Sequence, residues 1–193
     1  MKRKESPRVR ETKTLLRSAL LRLLEKKPIA RISVTALCDE AGVNRTTFYK
    51  YYDSVEDLYD TVMEDHLTEL GEAYKKSLEE THDLRAATIT ALRFLENNLS
   101  ESRILMTSTP STKYIGKTER PISTDTFEEF AKQYNIPKNK LQAVLKFFST
   151  GTFQLVRDWL FEDDRISAEE ETDLIFFALK SSCSIYEYIT GRN

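Results

Sequence analysis

Arg45, Thr46, Tyr49 and Lys50 stand at helical spacing within TALCDEAGVNRTTFYKYY, residues 35–52, a stretch that collects hydroxyls, rings and positive charge after a glycine. On a helical wheel Arg45 lies over Tyr49 and Thr46 over Lys50, four residues apart in each case, while Phe48 and Tyr52 turn inward with Val43. The outward set is flanked by Thr47 and Tyr51 and contains no acid. Guanidinium, ammonium, a methyl-bearing hydroxyl and phenolic hydroxyls are the groups that bind phosphate oxygens and the base edges of the DNA major groove.

Other chemistry finds little to stand on. The two histidines, His66 and His82, have no nucleophile placed beside them. His66 falls on an apolar helix side and reads as packed; His82 reads as surface at a helix entry. The five glycines are isolated, so no loop cradles a phosphate. Cys38 and Cys183 are far apart and match no metal or redox spacing, which suggests a reduced, cytoplasmic protein. No catalytic residue, metal or cofactor is assigned. No apolar run approaches membrane-spanning length, and the basic N-terminus is not followed by a hydrophobic signal core.

The elements that must hold the outward face follow from periodicity. With 193 residues, scarce Pro and Gly and no long alternation of period two, the chain reads as all-α. A first helix spans about Arg8–Lys26, with Leu16, Ala19, Leu20, Leu23 and Leu24 inward, and Pro28 ends it. Ser33 is the N-cap of a short second helix whose buried side is Val34, Leu37, Cys38 and Ala41. Gly42 supplies the left-handed residue that stops it, and a third helix runs from Asn44 to about Tyr51. Two short helices joined by such a turn form a helix-turn-helix.

A fourth helix begins at Ser54, with Ser54-x-x-Asp57 as a capping box and Val55, Leu58, Val62 and Leu70 on its apolar side, and reaches about Lys76. A fifth covers about Asp83–Leu99, with Leu84, Ala87, Ala91, Leu92 and Leu95 inward. Residues 107–126, rich in Ser, Thr, Pro and Gly, read as a long irregular connection. Helices at Asp125–Tyr134, Pro137–Phe161 and Ala168–Ile189 follow, within an expected architecture of about nine helices.

Charge divides the same way. Residues 1–52 carry thirteen Lys and Arg against five Asp and Glu, +8, and the rest carries sixteen against twenty-six, −10. A basic head on an acidic body reads as a polyanion-binding end joined to something that binds no polyanion.

Ala41-Gly42-Val43, Thr47-Phe48-Tyr49-x-Tyr51-Tyr52 and Ser54-x-Glu56-x-Leu58 together resemble the TetR/AcrR family of bacterial transcription regulators over about residues 10–60. Val156-Arg157-Asp158-Trp159-Leu160 looks like the variable regulatory domain of Firmicute members. The resemblance implies a helix-turn-helix domain at 1–53 and a helical ligand-binding and dimerisation domain at 54–193, with the fourth helix as connector. It implies contacts to double-stranded DNA from Ser33, Thr35, Arg45, Thr46, Tyr49, Lys50 and Tyr51. Arg45 suits a guanine, Tyr49 and Tyr51 suit phosphates, and Lys50 suits either. The family usually carries Lys at the start of the fourth helix; Val55 stands there instead. Lys2, Arg3, Lys4, Arg8 and Arg10 offer a compensating basic arm.

Helices 137–161 and 168–189 are apolar on two faces, so one face needs a partner. The resemblance makes that partner an identical subunit, packed through the last two helices, which suits a near-palindromic operator. It also implies a small lipophilic ligand in the body. Candidate pocket residues are Phe94, Met106, Tyr114, Tyr134, Phe148, Gln154, Arg157 and Trp159, with Gln154 and Arg157 as orienting polar groups. The resulting expectation is a repressor released by a ligand. The competing one is a helix-turn-helix adaptor or co-activator that works through a protein partner.

Overall fold

The computed structural model describes residues 6–108 and 138–190. Among them lie eight α-helices and no strand, with an N-terminal helix-turn-helix followed by a C-terminal helical domain. The helices are α1 (Pro7–Leu24), α2 (Val34–Ala41), α3 (Arg45–Phe48), α4 (Val55–Thr81), α5 (Leu84–Asn97), α6 (Leu99–Ser108), α7 (Lys138–Phe161) and α8 (Ala168–Thr190). The expected helix at 125–134 lies outside the described residues, as do Tyr114, Tyr134 and all but the start of the 107–126 connection. The chain divides into two compact units, residues 1–66 and 67–193.

In the first unit, α1 packs on α2 and α2 on α3. Ser6 caps α1, with Pro7 at the first helical position, where its missing N–H costs nothing. The five residues read as the inner face of α1 are all buried. Arg22 fastens α1 to the end of α2: its Nε donates to Glu40 Oε1 at 2.6 Å and its Nη2 to the Glu40 carbonyl at 3.4 Å. That guanidinium holds the Glu40 carboxyl below its ordinary pKa. Arg17 pairs with Asp65 of α4 at 3.6 Å. The early part of α4 buries Val55, Leu58, Tyr59, Val62, Met63 and His66, a wider apolar face than the one read from the sequence.

Three boundaries beyond α3 differ from expectation, each for a local reason. α4 runs on to Thr81, supported by Lys75–Glu79 and Lys76–Glu80 pairs one turn apart. His82 ends this helix in the left-handed region at φ 52, its N–H bonded to the Leu78 carbonyl at 2.9 Å. The fifth helix stops at Asn97 rather than Leu99. Asn98 leaves the helical region at φ −112, ψ 36, its side-chain amide and its backbone N–H sharing the Phe94 carbonyl at 2.9 and 3.1 Å, and a separate α6 follows. Thr107 and Ser108 are the last residues of α6, not the start of a loop.

In the second unit α5 packs against α6, α7 and α8, and α7 also packs against α6 and α8. α5 is tied to the first turns of α8 by Arg85–Asp173 and Arg93–Glu169, and Arg165 before α8 reaches Glu96 at 3.7 Å. The partners ascend on α5 as they descend toward the α7–α8 turn, so the two helices run antiparallel. Ala87, Leu92 and Leu95 face inward as read, but Leu84 is exposed. α7 buries Phe153, Val156, Trp159 and Leu160 while leaving Phe147 exposed. α8 buries Ile175 and exposes Leu174 and Phe177.

Candidate nucleic-acid interface

The turn between α2 and α3 is set by three adjacent devices. Ser33 Oγ accepts the Ala36 N–H at 3.2 Å, starting α2. Gly42 ends it at φ 65, ψ 29. Its N–H bonds to the Asp39 carbonyl at 3.3 Å and the Val43 N–H to the Cys38 carbonyl at 3.0 Å, the two bonds of a Schellman motif. Asn44 then caps α3, its Oδ1 accepting the Thr46 N–H at 2.8 Å. Asn44 is the positioning residue that sequence reasoning used only as a boundary. The available signal was its type, because Asn before a helical turn is a favoured cap.

α3 is one turn long. Helical geometry holds only for Arg45–Phe48, shorter than the expected Asn44–Tyr51. Tyr49, Lys50 and Tyr51 continue as turn, with the Tyr51 N–H on the Phe48 carbonyl at 2.9 Å, a tighter three-residue step. Phe48 is fully buried and Tyr52 nearly so, as the wheel required. Buried Phe48 carries the Tyr49 ring edge-on at 5.4 Å and 80°, so Tyr49 is oriented by the core though half of its surface is exposed.

Arg45, Thr46, Tyr49 and Lys50 are all exposed, and together they line one open concavity of about 520 Å³. Ser33 and Thr35 are exposed at the start of α2, and Tyr51 is half-buried. With its oxygen already accepting from Ala36, the Ser33 hydroxyl keeps its proton for an outside acceptor. Burial pushes the Cys38 thiol above its ordinary pKa, partly opposed by the charge of Arg45, so this buried cysteine stays a protonated packing residue. Val55 is buried at the start of α4. The capping box read there forms with a shift of one residue. Ser54 Oγ accepts the Asp57 N–H at 3.1 Å, and Asp57 Oδ2 reaches the Asp53 N–H at 3.0 Å.

The candidate pocket residues do not all gather. Met106 and Trp159 are buried, and Phe94, Phe148 and Arg157 are half-buried. Trp159 Nε1 donates to the Ile166 carbonyl at 2.8 Å, which makes the indole part of the α7–α8 corner. Gln154 is exposed and donates to Asp158 one turn on at 2.7 Å, so it faces away from the core that Phe153 and Val156 enter. Among the described residues no cluster of His, Cys, Asp and Glu could hold a metal ion, and no helix is long and apolar enough to cross a membrane.

A one-turn helix presented on a capped, glycine-stopped pair, with a basic and hydroxylic outer face, defines a helix-turn-helix protein. Residues 16–62 match the family model of the bacterial regulatory proteins of the tetR family. Solved structures of similar fold include a TetR transcriptional regulator from Streptococcus agalactiae 2603V, with a TM-score of 0.69 at 19% identity over 89% of this chain and 94% of that one. The fatty acid degradation regulator FadR from Bacillus halodurans aligns with a TM-score of 0.61 at 12% identity, over 90% and 94% of the two chains. The dihydroxyacetone kinase operon activator DhaS aligns with a TM-score of 0.59 at 17% identity, over 90% and 97%. No curated protein matches the sequence. Residues 16–62 thus carry a tetR-type N-terminal domain, and the fold of the chain is TetR-like.

Proposed function

We propose that the protein is a transcriptional regulator that binds a near-palindromic DNA operator as a homodimer through α7 and α8, represses, and is released by a small lipophilic ligand in its body. The reading divides the chain into a DNA-binding head, residues 1–53, and a regulatory and dimerisation part, residues 54–193, in a cytoplasmic protein without catalytic activity. The observation that carries it is the exposed set Arg45, Thr46, Tyr49 and Lys50 around one concavity, in a domain that matches the tetR family. Arg45 at the start of α3 suits the two acceptors of a guanine, and Tyr49 and Lys50 suit backbone phosphates. Exposed Phe147, Leu174 and Phe177 support a second copy against α7 and α8.

The test is a mobility shift with the protein alone on the DNA upstream of its own coding region, then with a panel of lipophilic compounds added. A ligand can release DNA only if it binds the released state more tightly than the bound one. Compounds that clearly bind yet leave DNA affinity unchanged rule out the inducer. One observation favours the alternative adaptor reading: α4 starts with buried Val55 followed by exposed Glu56 and Asp57, so no cation there meets a phosphate. Absence of a shift without a protein partner would select that alternative.

A further inference from the structure

The first turns of α8 contain four acids, and three serve the outside. Glu169 pairs with Arg93. Asp173 takes both prongs of Arg85, at 2.7 and 3.0 Å. Glu170 caps the helix, accepting from the Ser167 N–H at 2.9 Å and its hydroxyl at 2.8 Å.

Glu171 points the other way. It is 3% exposed and shares its side of the helix with buried Ala168, Thr172 and Ile175. Its Oε1 has no hydrogen-bond partner among the described residues. Nor does the Nε of Arg165, also buried, in the same corner. The rest of that guanidinium is directed at Glu96, at the Glu162 carbonyl 3.5 Å away, and over the Trp159 ring at 5.9 Å.

Among the described residues no cation forms an ion pair with Glu171. From α5 the charged groups toward α8 are Arg85, Arg93 and Glu96, and each is matched to Asp173, Glu169 or Arg165. Just beyond the end of α7 the charged neighbour is Glu162, of the same sign. Burial first, and Glu162 second, raise the Glu171 pKa above the usual carboxylate value. An ionised carboxylate with an unpaired oxygen in this place would be strongly unfavourable, whereas the neutral acid is tolerated.

We propose that Glu171 is carried as a neutral carboxylic acid and acts as a proton-dependent latch on the α7–α8 corner. The latch is complete at low pH, where the carboxyl is protonated in both folded and unfolded chains. Its stabilisation is lost as pH rises from the ordinary glutamate value of 4.5 through the raised folded value. Because the corner joins α7 to α8, ionisation loosens the pair that exposes Phe147 and Phe177. This inference does not depend on DNA binding.

Two measurements on the full chain test it: the carboxyl-carbon NMR shift of Glu171 against pH, and amide exchange over residues 162–172 in the parent, Glu171→Gln and Glu162→Gln at matched pH. The Glu171 carboxyl is expected to titrate above that of Glu170, with its midpoint lowered in Glu162→Gln. At the alkaline end the parent corner should exchange about threefold or more faster than Glu171→Gln, and at the acid end the two should coincide. A Glu171 midpoint among those of the exposed carboxylates overturns the latch, as does a parent-to-Glu171→Gln exchange ratio that stays flat with pH. If Glu171→Gln does not fold, the parent titration alone decides.

Discussion

At the residue scale, two positions separate recognition from support. Arg45 is exposed and reaches no deeper than the electrostatic neighbourhood of Cys38, so truncating it leaves the core intact. Arg45→Ala should lose discrimination at one base pair, by about 1–3 kcal/mol for a two-pronged guanine contact. Tyr49→Phe should weaken all sequences alike. Binding across a set of operator variants checks both, and an unchanged base preference in Arg45→Ala would remove it as a base reader. Gly42 tests the scaffold instead. A Cβ there would meet nothing within 4 Å, so the penalty of Gly42→Ala is purely the left-handed backbone at φ 65. The expected loss is about 1–2 kcal/mol, smaller for Gly42→Asn, read from urea midpoints.

At the element scale, α4 carries the group that makes the first unit sensitive to acid. His66 is 2% exposed, and burial first, then the charge of Arg17, lower its pKa from 6.5 to about 4. The folded imidazole stays neutral while the unfolded one takes a proton, so the unfolded chain binds more protons between these values. Stability is full above 6.5 and falls as pH drops toward 4. The loss is on the order of 3 kcal/mol. Urea unfolding of the parent against His66→Gln at neutral and acid pH reads this as a slope present in the parent and reduced in the variant. Equal slopes would show that the imidazole is not the group responsible.

Helix ends mark where periodicity stopped being informative. The inner faces of α1 and α2 and the Gly42 stop were legible because apolar spacing, a cap residue and a glycine agreed. The break at Asn98 was not, because it comes from the non-helical backbone of one residue whose side-chain amide and backbone N–H share the Phe94 carbonyl. The length of α3 was likewise hidden, since Tyr49–Tyr51 keep helical spacing while the Lys50 and Tyr51 bonds tighten to three-residue steps.

At the scale of the whole molecule, assembly is the open consequence. Phe177 is 69% exposed in the single chain, so Phe177→Asp should leave the protomer folded. A second copy packed there would bury that carboxylate, which is unfavourable unless it is paired. Light scattering at micromolar concentration should show a dimer for the parent and a monomer for the variant, with helicity unchanged by circular dichroism. A monomeric parent would refute the dimer.

The amino-acid sequence by itself determined the all-helical class, the helix-turn-helix and the outward set Arg45, Thr46, Tyr49 and Lys50, because each rests on spacing within a few residues. Only the tertiary structure decided which apolar residues are covered. Phe153 and Phe147 both lie on α7, yet one is buried and the other exposed, because α5, α6 and α8 pack on one side only. It also decided that Gln154 faces Asp158 and that Trp159 closes onto Ile166. It set Glu171 apart from the three acids beside it. Four acids close together in sequence look alike until helices from elsewhere in the chain arrive with arginines for some of them and none for the one turned inward.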